Sequence, residues 1–410
     1  MLDPARQMEI IRRGVAEILP EEDLLERLAA GRPLRIKYGI DPTGPDVTLG
    51  HAVPLRKLRD FQALEHQVVL IIGDFTALIG DPSGRDDSRP QLTRQQIERN
   101  MATYLDQISK ILDLGQAEVR HNSEWLGRLT SEQIIRLTGT HTVAQVLARE
   151  DFANRFAQQR PIGLQELLYP IYQGYDSIAV QADVEIGATE QKFNFLTARE
   201  LQLRNPLGPP QRPQVILTLP ILVGTDGVQR MGKSRNNYIG VSESPDQMFG
   251  KVMSIPDTLI AHYLELCTDE PLPQIRQIEA DMQSGQLNPR DAKLRLARDI
   301  VVQYHGAEAA GQAQQDFLRL FSGRGELGRD DLAELAKPVP IPPEIQGKPV
   351  WASTALVACG LAKSKSEARR SITAGGAYLD DRRLDNPEEE LTLRPGMILR
   401  IGKRRLVKLT

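Results

Sequence analysis

Arg35-Ile36-Lys37-Tyr38-Gly39-Ile40 is followed by Asp41-Pro42-Thr43-Gly44, by Thr48-Leu49-Gly50-His51 and then by Val68-Val69-Leu70-Ile71-Ile72-Gly73. In the first run Ile36, Tyr38 and Ile40 alternate onto one side, which is the period of a strand. The last run is continuously apolar and ends in glycine, as expected of a strand covered on both faces. Between them, Ala52, Leu55, Leu58 and Phe61 recur at helical spacing over Ala52–His66, with Pro54 in the tolerant first turn. Strand, helix, strand in that order predicts a parallel α/β sheet. Val215–Leu219 reads as a further buried strand.

The 410 residues are enough for two or three domains. With 40% hydrophobic and 26% charged residues the composition is that of a globular protein. No apolar run approaches the roughly 20 residues needed to cross a bilayer, and Met1-Leu2-Asp3-Pro4 lacks the basic and apolar regions of a secretory signal. Two distant cysteines, Cys267 and Cys359, give neither a disulfide framework nor a Cys-rich zinc site, which fits a cytoplasmic location.

From about Pro245 to Lys337 strand signals fade and helical patterns dominate. Pro338-Val339-Pro340-Ile341-Pro342-Pro343 then reads as an extended linker. Beyond it, Ser364-Lys365-Ser366-Glu367 is a capping-box pattern opening a helix that Gly375-Gly376 closes. Short strand pairs follow, one turning at Asp380-Asp381 and one joining Ile398–Ile401 to Arg405–Leu409. The expected units are a Rossmann-like α/β catalytic domain (1–244), an α-helical domain (245–337), a linker (338–347) and a small α+β domain (348–410). The net charge of −3 hides an asymmetry, because residues 361–410 carry 12 Lys/Arg against 7 Asp/Glu. A basic tail on an acidic body points to a polyanionic partner.

Gly50 and His51 stand where the long helix begins. A glycine there lets a ligand approach the backbone, the helix N-terminus favours anions, and a histidine can donate to phosphate oxygens. Far along the chain Arg230-Met231-Gly232-Lys233-Ser234 follows a strand and a glycine turn, so its cations could close over a triphosphate. A third element is Tyr169-Pro170-Ile171-Tyr172-Gln173-Gly174-Tyr175-Asp176. If helical, it puts Tyr169, Tyr172, Gln173 and Asp176 on one face. Two rings, an amide and a carboxylate make a poor core stripe, since an unpaired buried polar group costs about 1–3 kcal/mol.

Thr48-Leu49-Gly50-His51 and Arg230-Met231-Gly232-Lys233-Ser234 together resemble the paired signatures of class I aminoacyl-tRNA synthetases, His-Ile-Gly-His and Lys-Met-Ser-Lys-Ser. Here Thr48 and Arg230 replace the first residues, and glycine takes the middle of the second motif. The Tyr169–Asp176 segment, Gly80-Asp81-Pro82-Ser83-Gly84-Arg85 and Gly187-Ala188-Thr189-Glu190-Gln191 are similar to tyrosyl-tRNA synthetases. The last 60 or so residues resemble the S4-type RNA-binding domain of the bacterial members.

The resemblance implies that Asp176 accepts from the substrate phenol, and that Tyr169, Gln173 and Asp81 hold its ammonium, with Gln191 nearby. Asp41 and Thr43 would line the amino-acid and ATP pocket, with Gly50, His51, Met231 and Lys233 also at the nucleotide. Glu190, often Asp in relatives, would bind the ribose, and Lys37 stands where many relatives have a second phenol partner. The transition state would be clamped by Thr48, His51, Arg230, Lys233 and Ser234, with Arg85 and Arg89 from a mobile loop. The implied partners are L-tyrosine, ATP bringing Mg2+ without a protein metal site, and tRNA(Tyr), on a homodimer. A site that bonds a hydroxyl needs no editing domain against phenylalanine. Tyrosyl enzymes are themselves the standing example of such discrimination, at about 10⁵-fold.

Lys363, Lys365, Arg369, Arg370, Lys403, Arg404 and Arg405 form the expected RNA surface. Two rival readings share most of these features: a tryptophanyl enzyme, and a non-catalytic RNA-binding relative in which Thr48 and Arg230 mark decay.

Overall fold

Six strands, β1 (Glu17–Leu19), β2 (Arg35–Ile40), β3 (Gln67–Ile72), β4 (Glu118–His121), β5 (Val184–Ala188) and β6 (Val215–Leu219), form one sheet. Their order is β1-β6-β5-β2-β3-β4. All neighbours run parallel except β1, which is antiparallel to β6. This computed structural model describes residues 2–83, 92–321, 336–380, 382–402 and 405–410.

The strand core is apolar on both faces: Val68 to Ile71 and Val215 to Leu217 are completely buried. That is the pattern expected where crossover helices cover a parallel sheet. From β2 the succession steps through β3 to β4 on one side, while β5 and β6 lie on the other. The crevice beyond the carboxyl ends of β2 and β5 is therefore the switch point where such sheets bind ligands.

The helix after β2 spans Leu49–Ala63. It begins three residues earlier than its apolar spacing suggests, because Thr48 has extended backbone and Leu49 already enters the helix. Glu65, with φ of 66°, ends it before His66. The helix Tyr169–Ala179 does form, and it buries Tyr169, Tyr172, Gln173 and Asp176 together. It packs against the helix Lys192–Arg204 through Gly174, where a Cβ would fall 2.6 Å from Leu201 Cδ1.

The chain folds as two compact units, Met1–Ala307 and Glu308–Thr410, which differs from the expected boundaries. Residues 245–307 lie within the first of these units. The helix Ile260–Cys267 buries Tyr263, Leu264 and Leu266, the Tyr263 hydroxyl donates to the Val223 carbonyl at 2.6 Å, and Arg13 donates to the carbonyls of Thr268 and Glu270. The helical run Pro289–Phe321 is broken at Gly306, whose φ of 84° is incompatible with a helix.

In the second unit, β7 (Lys337–Val339), β9 (Ala377–Leu379), β10 (Arg382–Arg383), β12 (Ile398–Ile401) and β13 (Arg405–Leu409) form a sheet ordered β10-β9-β12-β13-β7. A two-stranded sheet pairs β8 (Pro349–Trp351) with β11 (Glu390–Thr392). The expected linker is thus partly built into the fold. β7 pairs parallel to β13, and Ile341 and Ile345 are buried in the unit's core. Its prolines are compatible with this because β7 is an edge strand, which leaves N–H positions unneeded. The helix Lys365–Thr373 starts at Ser364, whose side chain accepts from the Glu367 N–H. Among the described residues, no helix is long and apolar enough to cross a membrane.

Candidate active site

The carboxyl ends of β2, β3, β4 and β5 deliver Asp41, Gly73, Asn122 and Gln191 to one hollow, which the helix Tyr169–Ala179 closes with Tyr169, Gln173 and Asp176. A Cβ on Gly73 would lie 2.0 Å from Asp41 Oδ1 and 2.5 Å from Thr76 Oγ1, so a side chain there would displace that pair. Asp176 is buried and accepts from Trp125 Nε1 at 2.7 Å and from Asn122 Nδ2 at 3.2 Å. Burial pushes its carboxyl up to about 7, against the opposing pull of the Lys37 charge and of these two hydrogen bonds.

Asp41 Oδ1 accepts from Thr76 Oγ1 at 2.8 Å, and its Oδ2 accepts from the Tyr169 hydroxyl at 3.0 Å. Thr76 Oγ1 in turn accepts from Asn122 Nδ2 at 2.9 Å. No sequence motif marks Asn122, Trp125 or Thr76. Each is ordinary in its local sequence, and only the ends of β3 and β4 bring them to the hollow.

Gln173 donates to Glu185 Oε1 at 3.0 Å and accepts from Asn194 Nδ2 at 2.8 Å. Gln191 Nε2 donates to Asp81 Oδ2 at 3.2 Å, and Ser83 holds Asp81 Oδ1 through both its N–H and its hydroxyl. Arg149 braces this corner from Ser83 Oγ and Asn194 Oδ1. Lys37 departs from expectation. It is completely buried beside the helix, with its ammonium bonded to protein atoms instead of lining the hollow.

The two motif elements meet at the other end. A Cβ on Gly44 would lie 3.0 Å from Lys233 Nζ, and one on Gly50 would lie 3.6 Å from Met231 Cβ. The second motif therefore lies over the loop after β2 and over the helix entrance. Lys233 also stands 6.0 Å from the centroid of the Tyr104 ring, and burial lowers its ammonium pKa. The Thr48 N–H donates to His51 Nδ1 at 3.1 Å. That bond assigns the imidazole proton to Nε2, which makes this nitrogen the donor. Thr43 and Ser234 are exposed.

Arg230 Nη1 pairs with Glu190 Oε1 at 2.5 Å. Burial still raises the Glu190 pKa, with Asp81 and Asp151 adding to the effect and Arg230 opposing it. The loop carrying Arg230 is shaped by the buried Asn237, a residue outside both signature motifs. Its Oδ1 accepts from the Gly232 N–H at 2.8 Å and its Nδ2 donates to Asp226 Oδ2 at 2.8 Å. Arg85 and Arg89 lie outside the described residues.

The family model for class I tRNA synthetases (W and Y) matches residues 29–322. A curated tyrosine–tRNA ligase of Moorella thermoacetica is 50% identical over 409 residues, covering 99% of this chain and 96% of its own length. The chain belongs to the tyrosyl-tRNA synthetases of class I. A tyrosine–tRNA ligase of Carboxydothermus hydrogenoformans is 47% identical over 411 residues, covering 98% of this synthetase and 97% of that protein. The C-terminally truncated mitochondrial tyrosyl-tRNA synthetase of Aspergillus nidulans superposes with a TM-score of 0.64 at 20% identity, over 78% of this chain and 95% of that one. At that identity the likeness shows the fold.

In the second unit of the synthetase, Lys363, Lys365, Arg369 and Arg370 are exposed; the two lysines stand at the entrance of the helix Lys365–Thr373, while Arg370 lies in its last turn with Arg369 beside it. Arg369 pairs with Glu388 at 3.0 Å. Arg405 is tied into the fold, donating to the Leu361 carbonyl at 2.8 Å and to Glu367 Oε1 at 2.7 Å. Lys403 and Arg404 lie outside the described residues.

Proposed function

We propose that this synthetase activates L-tyrosine with ATP and then transfers the tyrosyl group to the 3′-terminal adenosine of tRNA(Tyr), with the residues above in the following roles. The observation that carries the reading is Asp176, a buried carboxylate at the floor of the switch-point hollow, held by two neutral donors and open to a para-hydroxyl. Asp176 accepts from the phenol, while Tyr169, Asp81, Gln173 and Gln191 surround the ammonium. Glu190 takes the ribose, and Asp41, Thr43, Gly50 and Met231 line the nucleotide's path.

The substrate carboxylate attacks the α-phosphate, the bond to the β,γ-diphosphate breaks, and pyrophosphate leaves. A ribose hydroxyl of the tRNA then displaces AMP from the tyrosyl carbonyl. No side chain forms a covalent bond. His51 Nε2, Thr48, Arg230, Lys233 and Ser234 donate to the developing charge, with Arg85 and Arg89, and catalysis is positioning plus fixed electrostatics. Magnesium enters with ATP as part of that substrate.

The active form is a cytoplasmic homodimer. The exposed apolar side chains Ile135 (69%), Val143 (64%), Phe156 (66%) and Leu164 (82%) are candidates for its interface. The exposed basic residues along the second unit's helix Lys365–Thr373 bind tRNA phosphates.

Pyrophosphate exchange into ATP tests the reading. It should depend on tyrosine and show no response to tryptophan or phenylalanine. Tryptophan dependence would select the tryptophanyl alternative, and RNA binding without any exchange would select the non-catalytic one.

A further inference from the structure

Lys37 and Glu185 are register partners on β2 and β5, the two strands that flank the switch point. Their side chains are 0% and 1% exposed, and their charged atoms lie 2.8 Å apart. An ammonium has three N–H donors. Those of Lys37 go to Glu185 Oε1, the Gln173 carbonyl and Ser177 Oγ, each at 2.8 Å. None is left for a substrate hydroxyl. Glu185 also accepts from Gln173 Nε2 at 3.0 Å, from Ser177 Oγ at 3.2 Å and from Gln214 Nε2. The pair thus grips the helix Tyr169–Ala179 on two successive turns, at positions that flank Asp176 in sequence.

Stability alone does not account for such a pair. Apolar side chains of similar volume commonly fold as well or better than a buried ion pair. What the pair provides is a fixed height and rotation of one helix against two strands.

We propose that Lys37 and Glu185 are positioning residues for amino-acid recognition, locking the helix that carries Gln173 and Asp176 against the sheet so that both meet the substrate. The inference rests on the tyrosine reading above. The charged groups facing Asp176 are Lys37 from β2 and Glu185 from β5. Its contacts after β4, Asn122 and Trp125, are neutral, and Asp41 reaches it only through Thr76 and Asn122. Lys37 favours the ionised carboxylate and Glu185 opposes it, with Lys37 the stronger influence.

The test is kinetic. Lys37→Met alone leaves Glu185 buried without its cation, so the informative variant is Lys37→Met with Glu185→Gln, which removes both charges. Gln214 Oε1, buried and without a partner, can turn to accept from the new amide. In tyrosine-dependent pyrophosphate exchange, KM for tyrosine should rise about tenfold while KM for ATP stays within about twofold and the melting temperature holds. The acid limb of kcat/KM for tyrosine should also move to higher pH.

A double variant with wild-type tyrosine KM and an unmoved acid limb would overturn the proposal. So would a parallel loss of tyrosine affinity, ATP affinity and melting temperature. Should the double variant fail to fold, Ser177→Ala removes one grip. Its tyrosine KM should rise about threefold at constant melting temperature, and an unchanged value would overturn the proposal. Wild-type enzyme lacking any tyrosine-dependent exchange would instead remove the tyrosine reading, and this inference with it.

Discussion

Arg230 and Glu190 are joined by an ion pair that ties the second signature loop to the carboxyl end of β5. On the proposed reading, in which Glu190 takes the ribose, nucleotide and arginine would compete for one carboxylate. Glu190→Ala should therefore raise KM for ATP about tenfold while leaving tyrosine KM within about twofold. Steady-state exchange kinetics with each substrate varied in turn will show it, and an equal rise in both constants would place Glu190 away from the nucleotide.

Asp176 sets a pH dependence. With its carboxyl pushed up to about 7, the acceptor form is lost as pH falls through that value. In free enzyme, kcat/KM for tyrosine should drop about tenfold per pH unit on the acid side. The direction for stability is opposite. A carboxyl raised above its unfolded value binds protons more tightly in the fold, so its contribution declines as pH climbs from the ordinary carboxylate range to about 7 and is flat above. A tyrosine profile level from about pH 5.5 to 8 would contradict the assignment.

His51 presents Nε2 because the Thr48 amide occupies Nδ1. His51→Phe should lower kcat about 100-fold with both KM values nearly constant, the pattern of a donor used only in the transition state. A pure KM effect would make it a ground-state contact.

Cutting after Ala307, at the boundary between the compact units, should leave pyrophosphate exchange within about threefold and reduce tRNA charging by about 100-fold or more. A cut at residue 344 is a poorer experiment, since it strands β7 and Ile341 without the sheet they complete. Comparable losses in both assays would argue against an RNA role confined to the second unit.

Phe156→Asp with Leu164→Asp should shift sedimentation from dimer to monomer at micromolar concentration, by desolvating charge in the proposed interface. A wild-type protein that is already monomeric would remove the dimer proposal.

The parallel sheet and the helix Tyr169–Ala179 are legible in local periodicity, because each buries a continuous run or a regular stripe. The phosphate loops are legible through short motifs whose chemistry is local. What stays hidden depends on distant pairing. Asn122 and Trp125 reach Asp176 only through the β3–β4 register, and Asn237 acts through its hydrogen bonds to a loop before it. Lys37 reads as a ligand contact because nothing in its own strand reveals that Glu185 lies opposite. Proline content suggests a linker at 338–347, but an edge strand tolerates the same residues.

The hydrogen-bonded series Asp176–Asn122–Thr76–Asp41–Tyr169 crosses the whole hollow without a gap. Trimming Asn122 to admit an unnatural side chain therefore takes a donor from Asp176 and from Thr76 at once, and Thr76 is what holds Asp41 across the hollow. Variants at Asn122 in particular should be screened for turnover from the first round, since one side-chain amide serves both ends of that series.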